Sequence, residues 1–287
     1  MKISTEIASV AKLIGEEKTV EYVAKAGFDA WDLSLFDLGR YDWGKQCLMQ
    51  TDHPLTGPNY LAFVRQLRRI GEDNGIHCNQ SHAPFPVECP AILDLQKKAI
   101  ECTAEAGGKI CIIHPDNKKN ADENARMYED LLSFAKSCGV KIATENMWNW
   151  DRVLDQAAPA ACSDPESFNA HLDAVNDPDF VACLDLGHAE MRGLNTTAVD
   201  MIHALGSRLQ ALHIHDNDRW HDSHQLPFTM DMQFEPIVRA LKNIGYSGYF
   251  TLEVDRYPSS FTADTAFTCV QNMAATARKL ADMFEQS

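Results

Sequence analysis

Residues 183–191 read Cys-Leu-Asp-Leu-Gly-His-Ala-Glu-Met, a carboxylate (Asp185) and an imidazole (His188) three positions apart where an apolar run ends. Such a pair at the end of a buried parallel strand can hold a cation or move a proton. It can equally be a helix-capping Asp followed by an unrelated His. The pattern gains meaning by repetition. Five other strand-like runs end in His82, His114, Glu145, His213 with His215, and Glu253. A lone His at such a place is more often a hydrogen-bonded structural residue than a ligand, and a lone Glu is often salt-bridged to a loop. Six successive strand ends of ligand type are harder to dismiss. Two Glu, one Asp and one His form an oxygen-rich mixed set suited to Mn, Co, Mg or Zn, and unsuited to copper(I) or an iron–sulfur cluster. A carboxylate ligand can also accept a proton beside the metal. Polarisation of a carbonyl or hydroxyl then stabilises an enediolate.

Those side chains need a scaffold that brings strand ends together. Strand-like runs at 3–7, 28–33, 76–81, 109–113, 140–144, 181–186, 209–214 and 249–252 alternate with helical patterns at 16–26, 60–74, 90–106, 122–137, from 164, 196–205, 235–243 and 262–284. Asp164-Pro165 is an N-cap followed by Pro at the first helical position. Eight strand–helix alternations predict an α/β fold, a single (β/α)8 TIM barrel over residues 1–287, with its active site at the C-terminal strand ends. A doubly wound sheet would carry a Gly-rich phosphate loop after the first strand, and none is present. Residues 40–59 and 147–163 read as long irregular connections of the kind used as lids or binding elements.

Composition narrows the function classes. Of 287 residues 45% are hydrophobic and 23% charged, and no run approaches the roughly 18 apolar residues of a membrane span. The chain starts directly in strand-like sequence, which predicts a cytoplasmic protein. Nine cysteines are scattered without a CxxC pair, against both a disulfide framework and a Cys-based zinc site. Against 26 Lys and Arg stand 41 Asp and Glu, a net charge of −15, which argues against nucleic acid as a partner.

The chain resembles the xylose isomerase-like TIM-barrel superfamily, in particular sugar (phosphate) isomerases and epimerases of the ketose 3-epimerase type, with endonuclease IV more distant. The resemblance covers nearly the whole chain. It is carried by Ser-His-Ala-Pro (81–84), Ile-His-Pro (113–115), Thr-Glu-Asn (144–146), Leu-Asp-Leu-Gly-His (184–188), His-Ile-His-Asp (213–216) and Leu-Glu-Val (252–254). It implies a metal-dependent isomerase or epimerase with Glu145, Asp185, His213 and Glu253 as ligands of one divalent ion, Mn²⁺ ahead of Co²⁺, Mg²⁺ or Zn²⁺. Glu145 and Glu253 would also be the acid/base pair on opposite faces of the sugar. His188 and Arg219 would hold its carbonyl end, and His82, His114 and Trp148 would line the substrate site. The implied partner is a small-molecule sugar, with no nucleic acid and no membrane; a homo-oligomer stays open. Two alternatives share the barrel. One is a keto-sugar or cyclitol dehydratase or lyase, which begins with the same proton abstraction. The other is an endonuclease IV-like phosphodiesterase, with His82, His114, Asp222 and His224 as additional zinc ligands. The 226–231 segment, Leu-Pro-Phe-Thr-Met-Asp, lacks the Gly turn common in relatives.

Overall fold

The computed structural model describes residues Met1–Ser287. Eight parallel strands form the barrel: Lys2–Thr5, Ala30–Ser34, His77–His82, Ile110–Ile112, Lys141–Glu145, Phe180–Asp185, Leu209–His213 and Tyr249–Leu252. The second to seventh make one continuous sheet, and the first pairs with the eighth. Single bridges, Glu6 to Asp32 and Ile214 to Leu252, join the two sheets and close the ring. Closure turns six separate strand ends into one convergent surface.

The strands are buried on both faces, as expected when helices cover a parallel sheet. Helices supply one apolar stripe each to the barrel exterior. The helix Ala121–Ser137 buries Ala125, Tyr128, Leu131, Leu132 and Ala135, and starts with a capping box between Asn120 and Glu123. Asp164 caps the helix Pro165–Val175 by accepting the backbone N–H groups of Glu166 and Ser167. No helix is long and apolar enough to cross a membrane.

The barrel interior is divided. Ile112, Ala143, Val181, Cys183 and Ala211 fill one side with apolar groups. The other side is a hydrogen-bonded polar chain. Ser4 Oγ donates to Asn79 Oδ1 (2.6 Å), Asn79 Nδ2 to Thr251 Oγ1 (3.2 Å), and Gln80 Nε2 to Asp32 Oδ2 (2.9 Å). This chain ends directly beneath His213.

Local differences from the sequence reading have local causes. The first strand stops at Thr5 rather than running to residue 7, and a short helix, Ala8–Ile14, follows. The expected 90–106 helix is two, Pro90–Leu93 and Gln96–Ala106. The last helix begins at Ala266, after a 3₁₀ turn, Ala263–Thr265. Most consequential, both "irregular" connections contain β-hairpins, Tyr41–Asp42 with Cys47–Leu48 and Trp148–Asp151 with Gln156–Pro159. Their turns are built alike. Asp42 Oδ1 accepts the N–H groups of Gly44 and Lys45, and Asp151 Oδ1 those of Val153 and Leu154. In each, the last loop residue, Gln46 or Asp155, has a positive φ. An Asp whose side chain nucleates the turn was the available signal in both segments.

Candidate metal and acid–base site

The strand ends meet at the C-terminal face of the barrel, at the floor of a cavity of about 660 Å³. Glu145 and Asp185 are the last residues of the fifth and sixth strands, His213 the last of the seventh, and Glu253 follows the eighth. All four are buried, and one ligand-type atom from each falls within 4.8 Å of the others. His213 Nδ1 lies 3.0 Å from Glu145 Oε1 and 3.4 Å from Glu253 Oε2. Its other nitrogen faces the buried Asp32 carboxylate at 3.6 Å, an electrostatic contact rather than a hydrogen bond. Asp32, on the second strand, was missed in the sequence because it looks like any strand polar residue.

Asp185 answers both readings of its motif. One oxygen caps the one-turn helix Leu186–Ala189 by accepting the His188 N–H (2.7 Å). Its other oxygen has no partner, like Glu145 Oε2 and Asp222 Oδ1. Buried carboxylate oxygens without a hydrogen bond suit a divalent cation, Glu145 and Asp185 in the four-residue group and Asp222 in a neighbouring one.

The histidines are oriented toward the same space. Nδ1 of His82, His188 and His224 lies 2.9, 2.9 and 2.8 Å from the carbonyl oxygens of Ala83, Asn146 and Glu253. A carbonyl only accepts, so each Nδ1 carries a proton and each Nε2 is directed into the site. His82 Nε2 meets His114 Nε2 at 2.9 Å, and they lie 3.5 and 3.3 Å from Glu145 Oε2. On the other side, His188 and His224 place Nε2 at 3.4 and 3.1 Å from the Asp222 carboxylate. His215 Nε2 sits between Asp185 (3.1 Å) and Asp222 (3.5 Å). His188, His215, Asp222 and His224 thus form a second group capable of holding a cation. Gly187 makes it fit, since a Cβ there would overlap the His215 ring.

The electrostatics are divided among neighbours. Burial disfavours the charged form of every group here. Against it, His213, His114 and His82 hold Glu145 well below the usual carboxylate range, whereas burial pushes Glu253 up. Burial lowers His114 to about 4. For His188 burial is outweighed by Asp185 and Asp222, which raise it to about 10.

His82, His114, Trp148 and His188 line the cavity with Glu145 and Glu253, while Asp185 and His213 lie beneath. Arg219 is elsewhere. It adopts a positive φ, its guanidinium pairs with Glu190 (3.4 Å), and it is not among the cavity residues. Its backbone carbonyl accepts the Arg192 N–H, which ties the loop down.

A family model, the xylose isomerase-like TIM barrel, matches residues 20–286. The chain belongs to the xylose isomerase-like TIM-barrel family. The uncharacterized protein MJ1311 of Methanocaldococcus jannaschii is 24% identical over 253 residues, 82% of this chain and 78% of that protein. Among solved structures, a D-tagatose 3-epimerase-like protein superposes with a TM-score of 0.70 at 18% identity, covering 100% of this chain and 99% of that one. A D-allulose 3-epimerase from Methylomonas sp., in complex with D-allulose, gives 0.68 at 18% identity, with 100% and 96% covered. The 3-keto-D-glucoside 4-epimerase of E. coli gives 0.68 at 15% identity, with 97% and 99% covered. At these identities the likeness is one of fold.

Proposed function

We propose that this chain is a divalent-metal-dependent sugar isomerase or epimerase that moves a proton on the carbon beside a carbonyl. The observation that carries the reading is the pair of glutamates, Glu145 and Glu253, from strands across the barrel and converging on His213 over a cavity floor. Two carboxylates on either side of a bound sugar can remove a proton from one face and return one to the other. Glu145, Asp185, His213 and Glu253 would hold the ion, and their oxygen-rich set favours Mn²⁺. Bound there, a divalent cation supplies Lewis acidity that makes the proton beside a carbonyl easier to remove. Asp32 keeps His213 in place. His188, His82 and His114 present ring nitrogens to sugar oxygens, and Trp148 offers an apolar face. Arg219, turned toward Glu190, positions its loop. The names of the structural neighbours, ketose 3-epimerases and a keto-glucoside epimerase, support the same substrate class.

The test is exchange of substrate carbon-bound protons with D₂O by the Mn²⁺-loaded protein over a panel of ketoses. Exchange with an epimer or isomer as product supports the proposal. Exchange with loss of water identifies the dehydratase variant, and absence of exchange across the panel removes the reading.

A second reading, phosphodiester hydrolysis at a multinuclear zinc site, has the His188, His215, Asp222 and His224 group in its favour. Against it stand the net charge of −15 and a cavity with only two Lys or Arg residues in its lining, Arg40 and Lys118. Metal content after purification without added metal separates the two. About one exchangeable ion per chain supports the isomerase, whereas two or three tightly held zinc ions with cleavage of abasic DNA would replace it.

A further inference from the structure

The cavity has two chemically different zones. Its floor is the carboxylate and imidazole surface described above. Its outer wall is aromatic, with Tyr41 and Trp43 from one hairpin and Trp148 and Trp150 from the other. Each hairpin holds its rings in an edge-on pair, with centroids 5.0 Å apart for Tyr41–Trp43 and 6.2 Å for Trp148–Trp150. The turns of both hairpins are pinned by the Asp42 and Asp151 carboxylates. Trp43 nevertheless remains 65% exposed. An indole left in water on a well-formed turn at a cavity mouth marks a binding element rather than a packing residue.

The size and charge of the cavity narrow the occupant. Pockets of about 300–1,000 Å³ take molecules of drug size, and a cavity of about 660 Å³ has room for more than one sugar ring. Outside the floor's carboxylates and imidazoles, the charged lining residues balance, Arg40 and Lys118 against Glu88 and Asp255, and Arg40 is already paired with Asp37 at 2.6 Å. A phosphate or carboxylate substituent therefore has no net attraction there. A neutral ring with an apolar face has four aromatic side chains to meet.

We propose that the substrate is a sugar joined to a second, uncharged ring. The reacting sugar occupies the floor and the attached ring lies between the two hairpins. This inference rests on the sugar reading above and adds the substituent. A glycosyl group and an aryl aglycone share the required chemistry, a flat face of C–H groups or π electrons.

Calorimetric titration of the Mn²⁺-loaded protein tests it with three probes: a free ketohexose, that ketohexose with a glucosyl group on its C6 oxygen, and the same sugar with a phenyl group there. At least one ring-bearing probe is expected to bind about fivefold or more tighter than the free sugar. A preference for the glucosyl probe identifies a second sugar, and one for the phenyl probe an aryl aglycone. Trp43→Ala and Trp150→Ala are each expected to remove most of that advantage, and Trp43→Phe to retain it. Equal affinity for all three probes overturns the inference, as does an advantage that survives both alanine variants. The proton-exchange assay reads the proposed function separately. Exchange of the free sugar with no ring advantage leaves the isomerase standing and removes the clamp. A ring advantage without exchange on any probe does the reverse.

Discussion

The two cation-capable groups lie side by side yet are built differently. Glu145, Asp185, His213 and Glu253 stand at or one residue beyond strand ends, on backbone held in the barrel ladder. His188, His215, Asp222 and His224 lie past the strand ends, on a one-turn helix and a loop in which His224 takes a positive φ. The first has three carboxylates to one imidazole, the second three imidazoles to one carboxylate. The contrast separates an oxygen-rich, strand-held position suited to a hard cation near a proton-transfer pair from a nitrogen-rich, loop-held one closer to zinc chemistry. It also gives the two groups different expected weights in the reaction.

The largest effect is expected in the strand-held group. Glu145→Gln and Glu253→Gln should each lower proton exchange by about 10²–10⁴-fold, the range lost with a general acid or base. Full activity in either variant would end the acid/base assignment. Next comes Asp32→Asn, which removes the charge behind His213 and is expected to weaken metal affinity by about 10–100-fold. The readout is a competitive chelator titration, in which unchanged affinity would show that Asp32 serves only the barrel network. For the loop-held group, Asp222→Asn should reduce exchange by roughly tenfold or less, since it lines the cavity without standing among the four strand-held candidate ligands. A loss equal to that of Glu145→Gln would erase the distinction between the groups and move the protein toward a multinuclear mechanism.

The smallest effect sharpens the comparison from outside both groups. Glu6, just after the first strand, is buried and pushed up to about 7, although Ser9 and Ser34 hydrogen-bond to it. Its folded value lies above the unfolded one, so the folded state binds the extra proton between about 4.5 and 7. Stability from this group is therefore present below the unfolded value and declines as pH rises through about 7. Glu6→Gln should flatten that decline and stabilise the protein above pH 7, by at most on the order of 3 kcal/mol. Denaturant midpoints at pH 5 and 8 test this. An unchanged difference between the two pH values would place the pH dependence elsewhere.

Much of this was legible in one dimension. Eight apolar runs alternating with amphipathic helices specify a barrel, because strand and helix periodicities are written locally and a closed barrel has few competitors. Once the barrel is granted, Glu145, Asp185, His213 and Glu253 must converge, since each ends a strand and the strands share an axis. The Asp164 cap was readable for the same reason, as its partners lie within three residues.

What the sequence could not settle depended on contacts between distant segments. Asp32 becomes the support for His213 only when the second and seventh strands face each other across the interior. His215 joins Asp185 to Asp222 because Gly187 leaves it space, a relation between loops that no spacing encodes. Arg219 sits six residues after His213, yet its guanidinium pairs with Glu190 and it takes a positive φ. The hairpin aromatics carried a readable local signal in their turn-forming Asp residues. Their meeting over one cavity was decided by barrel closure, which sets the second and fifth strands' loops around a common mouth. Local sequence chose the elements and the chemistry at their ends; through-space packing decided which of those side chains share a site.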